Sequence, residues 1–200
     1  VIACNTATAI SLELAQQKYN IPIIGVVEAG ARTAAYTTEN KVVGVIGTEG
    51  TINSKAYEEE IHKIDNSVRI IGKACPLFVP IVEEGWANTE VAYLTAQRYL
   101  EELKEEGIDS LVLGCTHYPL LKNTINRVVD GKIKLVNPAI ETAKDLKDVL
   151  TKNELLREDS PDPAHYDYFV SDGPEKFANI GQEFLNKKID NIDQIEIQKY

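Results

Sequence analysis

Apolar residues fall along this chain in two rhythms. Short, nearly unbroken runs such as Val42-Val43-Gly44-Val45-Ile46 and Leu111-Val112-Leu113 alternate with longer stretches of helical periodicity. Unbroken runs fit strands covered on both faces, and the longer period fits helices packed by one side. The pattern predicts strands at Val1–Ala3, Ile21–Val26, Lys41–Gly47, Val68–Ala74, Ser110–Gly114, Ile133–Val136, Tyr166–Val170 and Ile195–Gln198. Asn88 is placed to cap a helix with Ala92, Ala96, Tyr99, Leu100 and Leu103 along one face and Gly107 just past its end. Asn137-Pro138 reads as a cap with proline in the first turn, opening a helix to about Leu150. Thr51–Lys63 and Glu175–Asn186 complete the predicted helices, and Asp159-Ser160-Pro161-Asp162-Pro163 reads as a loop. Strands alternating with helices predict an α/β fold with mostly parallel sheets.

Composition narrows the function classes. The chain has 200 residues, 44% of them hydrophobic, enough for one domain or two small ones with a real core. No apolar run approaches the roughly eighteen residues of a membrane span. A net charge of −10 without a basic stripe argues against nucleic-acid or anionic-membrane partners. The three cysteines are widely spaced, with neither a Cys-x-x-Cys pair nor zinc-type spacing, so neither a disulfide framework nor a metal site is expected. Reduced thiols point to the cytoplasm. The chain opens on Val1-Ile2-Ala3, with no basic region before it and no methionine anywhere, which predicts a piece of a longer protein.

Two of the cysteines share a setting. Cys4, in "VIACNTATA", and Cys115, in "GCTHYP", each follow an apolar run and precede small or hydroxylated residues that can start a helix. Ligands of α/β folds gather at the carboxyl ends of strands. Helix N-termini there offer free N–H groups, and their field is expected to lower a thiol's pKa. A single cysteine after a strand more often packs as a small hydrophobe. That plainer role suits Cys75, set among the apolar residues of "ACPLFVP". The repeated setting favours chemistry for Cys4 and Cys115. Two equivalent groups suit a reaction symmetric about one carbon, in which a thiolate removes a proton from one face and a thiol delivers one to the other. His117, two residues from Cys115, can orient or charge-compensate a thiolate. His62 and His165 have no such neighbour and read as exposed or packing residues.

Four motifs, "VIACNTATA", "GVIGTEGTINSKAYE", "ACPLFVPIVEEG" and "LVLGCTHYPLL", together resemble the bacterial glutamate racemase family, and the likeness runs nearly the whole length of the chain. The resemblance implies a cofactor-independent enzyme that makes D-glutamate for peptidoglycan. It implies Cys4 and Cys115 as the two bases, with Glu83 and His117 assisting proton transfer. It also implies Asn5, Thr6 and Thr116 as ligands of the substrate carboxylate and amino groups, and Thr48 and Thr51 as further residues that bind substrate or support those that do. Glu84 stands beside Glu83, and the sequence leaves open which of the two faces the site. The implied fold is two similar α/β domains with the active site in the cleft between them. Residues 1–27 and 137–200 would form an incomplete first domain and residues 28–136 the second. Family members commonly dimerise, so a homodimer is expected.

The sequence departs from the family in one place. An Asp-Ser-Gly motif and a Pro-Tyr-Gly motif that precede the first cysteine in the family are absent here. An N-terminally truncated racemase with little or no activity by itself is therefore expected. Two other readings compete. Aspartate racemases of the same superfamily often carry glutamate where this chain has His117, which favours glutamate as substrate. A non-catalytic amino-acid-binding module on the same scaffold would have no need of paired thiols.

Overall fold

The computed structural model describes residues 1–157, 164–189 and 191–199. They divide into two compact units, Val1–Leu156 and Arg157–Tyr200, and the domain division expected at residue 137 falls inside the first of these. The predicted loop at 159–163 lies outside the described residues.

In chain order the first unit contains α1 (Asn5–Lys18), α2 (Val27–Thr37), β1 (Val42–Gly47), α3 (Glu49–Asn53), α4 (Ala56–Ile64), β2 (Arg69–Ala74), α5 (Phe78–Glu83), α6 (Glu90–Glu105), β3 (Ser110–Gly114), α7 (Lys122–Val128), β4 (Lys134–Val136) and α8 (Pro138–Lys152). The four strands form one parallel sheet in the order β2-β1-β3-β4. This is the predicted α/β architecture. β3 is buried at every residue because both faces are covered. Alternate side chains of a strand point to opposite faces, so Leu111 and Leu113 join Phe78, Leu100 and Ile125 on the α5–α6–α7 side. Val112 joins Val43, Val45, Ala31, Ala34, Tyr57 and Ile61 on the α2–α4 side.

The helix signals hold with small shifts. Thr89, not Asn88, caps α6, its hydroxyl accepting from Ala92 N at 3.4 Å. Ala92, Ala96, Leu100 and Leu103 are buried, and Gly107 follows the helix at φ 74°, the left-handed conformation glycine adopts without strain. Asn137 Oδ1 accepts from Ala139 N at 3.1 Å at the head of α8. The predicted Thr51–Lys63 helix is instead two, α3 and α4, broken where Lys55 takes φ 57°. Ser54 causes the break locally: its hydroxyl donates to Thr51 O and accepts from Ala56 N, competing with the helical backbone bonds.

Two predicted strands are absent. Val1–Ala3 and Ile21–Val26 meet in a single parallel bridge, Ile2 with Gly25. The Thr8 hydroxyl of α1 takes their neighbouring ladder groups, donating to Ile2 O and accepting from Val26 N. In the second unit, β5 (Tyr168–Val170) pairs in parallel with β6 (Ile192–Gln194) around α9 (Pro174–Leu185). The last strand thus lies earlier than the predicted Ile195–Gln198. The ladder ends where Ile195 N reaches Val170 O, and the chain then tightens into a 3-10 turn at Ile197–Lys199. No helix among the described residues is long and apolar enough to cross a membrane.

Asp109 ties the turn after α2 to the start of β3. Its carboxylate accepts from Thr38 Oγ1, Glu39 N, Asn40 N and Ser110 Oγ at 2.6 to 2.9 Å. Burial pushes this carboxyl up, but the bonds from Thr38, Asn40, Glu39 and Ser110 outweigh it, and the net effect is a lowered pKa. A lowered carboxylate contributes stability above its unfolded pKa of about 3.9 and loses it as pH falls through the folded value. Asp109→Asn, which turns an amide NH2 toward backbone donors, is expected to cost about 2 kcal/mol in urea unfolding at pH 7. The gap from the parent should narrow below about pH 4. Equal stability at pH 7 would contradict this account.

Candidate active site

The site forms where β1 and β3 end side by side, with Gly47 in register with Gly114. Thr48 follows β1 and Cys115 follows β3, so both stand at the carboxyl edge of the sheet, where α/β folds collect ligands. Gly114 has to be glycine for a steric reason: a Cβ there would lie 2.6 Å from Ile46 O.

Cys4 enters from the other side as the N-cap of α1, its Sγ accepting from Ala7 N at 3.5 Å. The predicted helix start after this cysteine is therefore present. Asn5 and Thr6 open the same helix. Thr6 Oγ1 lies 2.7 Å from Thr48 Oγ1 and 3.0 Å from Thr51 Oγ1, and the last two are 3.2 Å apart. These three hydroxyls join the head of α1 to the head of α3, which Thr48 caps. Gly50 permits the approach, since a Cβ there would sit 2.9 Å from Thr6 Cγ2. Hydroxyls can each donate or accept, so the cluster can turn donors toward a carboxylate.

Cys115 is followed not by a regular helix but by Thr116, His117 and a short 3-10 turn at Tyr118–Leu121. The expected lowering of its thiol pKa is not found. Burial pushes it up, backbone N–H groups of His117 and Thr116 and the Thr116 hydroxyl pull it down, and the negative charge of Cys4 pushes it up again. The net direction is upward, favouring the neutral thiol. His117 Nδ1 lies 3.9 Å from Cys115 Sγ and 3.2 Å from Thr116 Oγ1, and its Nε2 lies 3.3 Å from Glu83 Oε1. With Nε2–H donating to Glu83, Nδ1 offers its lone pair to the Cys115 thiol. Glu84 is instead the exposed C-cap residue of α5.

The nine residues singled out from the sequence thus divide into two groups. Cys4, Asn5, Thr6, Thr48 and Thr51 are linked through α1 and α3, while Cys115, Thr116, His117 and Glu83 form a chain below β3. Thr116 is exposed, and Thr51 and Asn5 are buried. Cys75 is fully buried, as its apolar neighbours predict, and burial pushes its thiol to about 12, with Lys73 opposing. His62 and His165 are exposed, His62 against Val68 O and His165 against Asp167. One contact was not anticipated: Tyr57 OH donates to Asn5 Oδ1 at 2.6 Å. The spacing of Tyr57 and Ile61 marks a core face but says nothing of where the hydroxyl reaches.

Fold and candidate site define a class: parallel α/β proteins with a thiol and a cluster of hydroxyls at the carboxyl edge of the sheet and a second thiol at the head of a helix joined to that cluster. This chain belongs to the Asp/Glu/hydantoin racemase family, whose model matches residues 1–146, and is accordingly an amino-acid racemase, an isomerase. A glutamate racemase of Geobacter metallireducens is 50% identical over 198 residues, spanning 99% of this chain and 73% of that one. The crystal structure of a Bacillus anthracis glutamate racemase superposes with a TM-score of 0.90 at 34% identity, over 98% of this chain and 74% of that one. A Francisella tularensis glutamate racemase in complex with D-glutamate also gives a TM-score of 0.90 at 34% identity, over 98% of this chain and 73% of that one.

Proposed function

We propose that this chain interconverts L- and D-glutamate with Cys4 and Cys115 as opposed acid and base. The observation that supports the mechanism is the setting of each thiol: Cys4 heads α1, which carries Thr6 to the Thr48 and Thr51 hydroxyls, and Cys115 follows β3 beside Thr116 and His117. One thiolate beside one thiol is the state such a reaction needs. The Cys4 thiolate takes the Cα proton from one face. The C–H electron pair spreads into the substrate carboxylate, and the Cys115 S–H delivers its proton to the other face. Cys4 ends as thiol and Cys115 as thiolate, ready for the reverse direction. Donors from Asn5, Thr6, Thr48, Thr51 and Thr116 stabilise the carboxylate as charge builds on it. The Glu83–His117 pair serves the Cys115 side.

In this reading Cys4, on the segment 1–27, and Cys115, within 28–136, stand on opposite walls of a cleft, and closure excludes water. Slow turnover is expected, because Cys4 is exposed in this structure and water competes for its donors. Glutamate as substrate is supported by the glutamate racemase relatives and by the complex of one of them with D-glutamate. A role in peptidoglycan synthesis, a cytoplasmic setting and a homodimer rest on the resemblance and the cysteine usage.

Proton NMR in D2O tests the proposal. Incubation with L-glutamate is expected to erase the Cα–H signal and build D-glutamate, while L-aspartate stays unchanged. Loss of the aspartate signal instead would move the substrate to aspartate. A folded protein that binds glutamate yet exchanges no proton would make it a binding module.

A further inference from the structure

Tyr57 stands at the junction of the two cysteine segments. It belongs to α4 and is 3% exposed, within the core on the α2–α4 face of the sheet. Its ring lies between two glycines. A Cβ on Gly30 of α2 would come within 3.1 Å of Cε1, and one on Gly114 of β3 within 3.3 Å of Cε2. The ring therefore fills a slot that two bare backbone segments leave open, and close packing on both sides restricts its rotation. Gly114 immediately precedes Cys115.

The hydroxyl leaves this core and reaches α1, donating to Asn5 Oδ1 at 2.6 Å. Asn5 is itself buried and immediately follows Cys4. A phenylalanine would fill the same slot without carrying a polar group into the core, so only the bond to Asn5 offsets the desolvation of the hydroxyl. Burial keeps the phenol protonated and hence able to donate. With Tyr57 donating to Oδ1, the NH2 end of the Asn5 amide is turned away from the phenol. Among the described residues Asn5 Nδ2 has no hydrogen-bond partner, yet no fully enclosed side-chain nitrogen or oxygen is left unpaired. The NH2 end is therefore the end left accessible, on the residue between Cys4 and Thr6 in the chain.

We propose that Tyr57 is a positioning residue for racemisation: its hydroxyl holds the Asn5 amide with both N–H groups turned to the substrate, while its ring seats the turn that carries Cys115. This rests on the glutamate racemase reading above. Tyr57 touches no reacting atom, and its effect on binding passes through Asn5.

A double-mutant cycle on the full chain tests it, using Tyr57→Phe, Asn5→Ala and the pair, with glutamate racemisation as the readout. Tyr57→Phe keeps the ring and is expected to fold. It should lower kcat/KM about tenfold, the scale of one hydrogen bond, mainly through KM. In the Asn5→Ala background the same change should alter kcat/KM less than about twofold, because residues acting through one contact are not additive. A full tenfold loss in that background, or none in the parent, would overturn the proposal. A second readout does not depend on turnover. In protein labelled with 15N-asparagine, the Asn5 side-chain NH2 signals should shift and exchange faster with solvent in Tyr57→Phe. Signals that do not move sink the positioning role whatever the kinetics. A parent protein that racemises no glutamate removes the functional reading instead, so the two failures are told apart.

Discussion

Cys4→Ser and Cys115→Ser are each expected to lower glutamate racemisation by roughly 10²- to 10⁴-fold, the usual contribution of a positioned acid or base. Serine nearly matches cysteine in shape, so the Ala7 N–H to residue 4 and the packing around residue 115 should survive. Its hydroxyl, however, is far too weak an acid to exist as the anion near neutral pH. Glutamate affinity should change by no more than about threefold, because the Thr6–Thr48–Thr51 cluster and Asn5 remain. The variants should also differ from each other. Each retains one thiol, so each should still wash deuterium into whichever enantiomer presents its Cα–H to that thiol, without inversion. Racemisation measured by circular dichroism and deuterium uptake measured by NMR separate these outcomes. Inversion at near-parent rates in either variant would end the two-thiol mechanism.

Much of the sheet was legible in the sequence because a buried parallel strand has to be apolar on both faces. Ser110–Gly114 was predicted to the residue, and β1, β2 and β4 within a residue or two. The failures have local causes. α2 escaped because its buried face is built from Val27, Ala29, Gly30, Ala31, Ala34 and Ala35, small residues with little periodic contrast against their neighbours. α5 is one and a half turns of mostly apolar residues, too short to show a period. Val1–Ala3 and Ile21–Val26 have strand composition, but ladder pairing depends on neighbours, and here a threonine side chain takes the groups a ladder would use.

The candidate site was legible as an inventory rather than as a geometry. Position after a strand marked Cys4 and Cys115, and their neighbours came with them. What the sequence could not give is the balance at each thiol. A helix start was expected to lower Cys115, yet the residues after it make only a short turn, and desolvation prevails. The choice between Glu83 and Glu84 likewise needed coordinates, because one residue along a helix rotates a side chain by about 100°. Glu83 Oε1 lies 3.3 Å from His117 Nε2, whereas Glu84 is exposed.

Burial predicts a steep order of thiol reactivity, which supplies a check independent of turnover. With iodoacetamide near pH 7.5, Cys4, which is exposed, should react first. Cys115, 8% exposed and pushed upward by burial and by the charge of Cys4, should lag by about tenfold or more. Cys75, 0% exposed with its thiol near 12, should be protected by about 10³-fold until the core opens. Mass spectrometry of digested samples resolves the three. The direction with pH follows from which form reacts. Only thiolate attacks, so the Cys115 rate should climb close to tenfold per pH unit from 7 to 9 and keep rising beyond the usual thiol pKa of about 8.5. The informative variant is Cys4→Ser. It removes the sulfur whose charge raises Cys115, so the remaining thiol should alkylate measurably faster at pH 8. An unchanged Cys115 rate in that variant would mean that the two sulfurs do not sense each other's charge. The proposed reaction, in which one thiol keeps its proton because the other has lost one, would then lose its electrostatic basis.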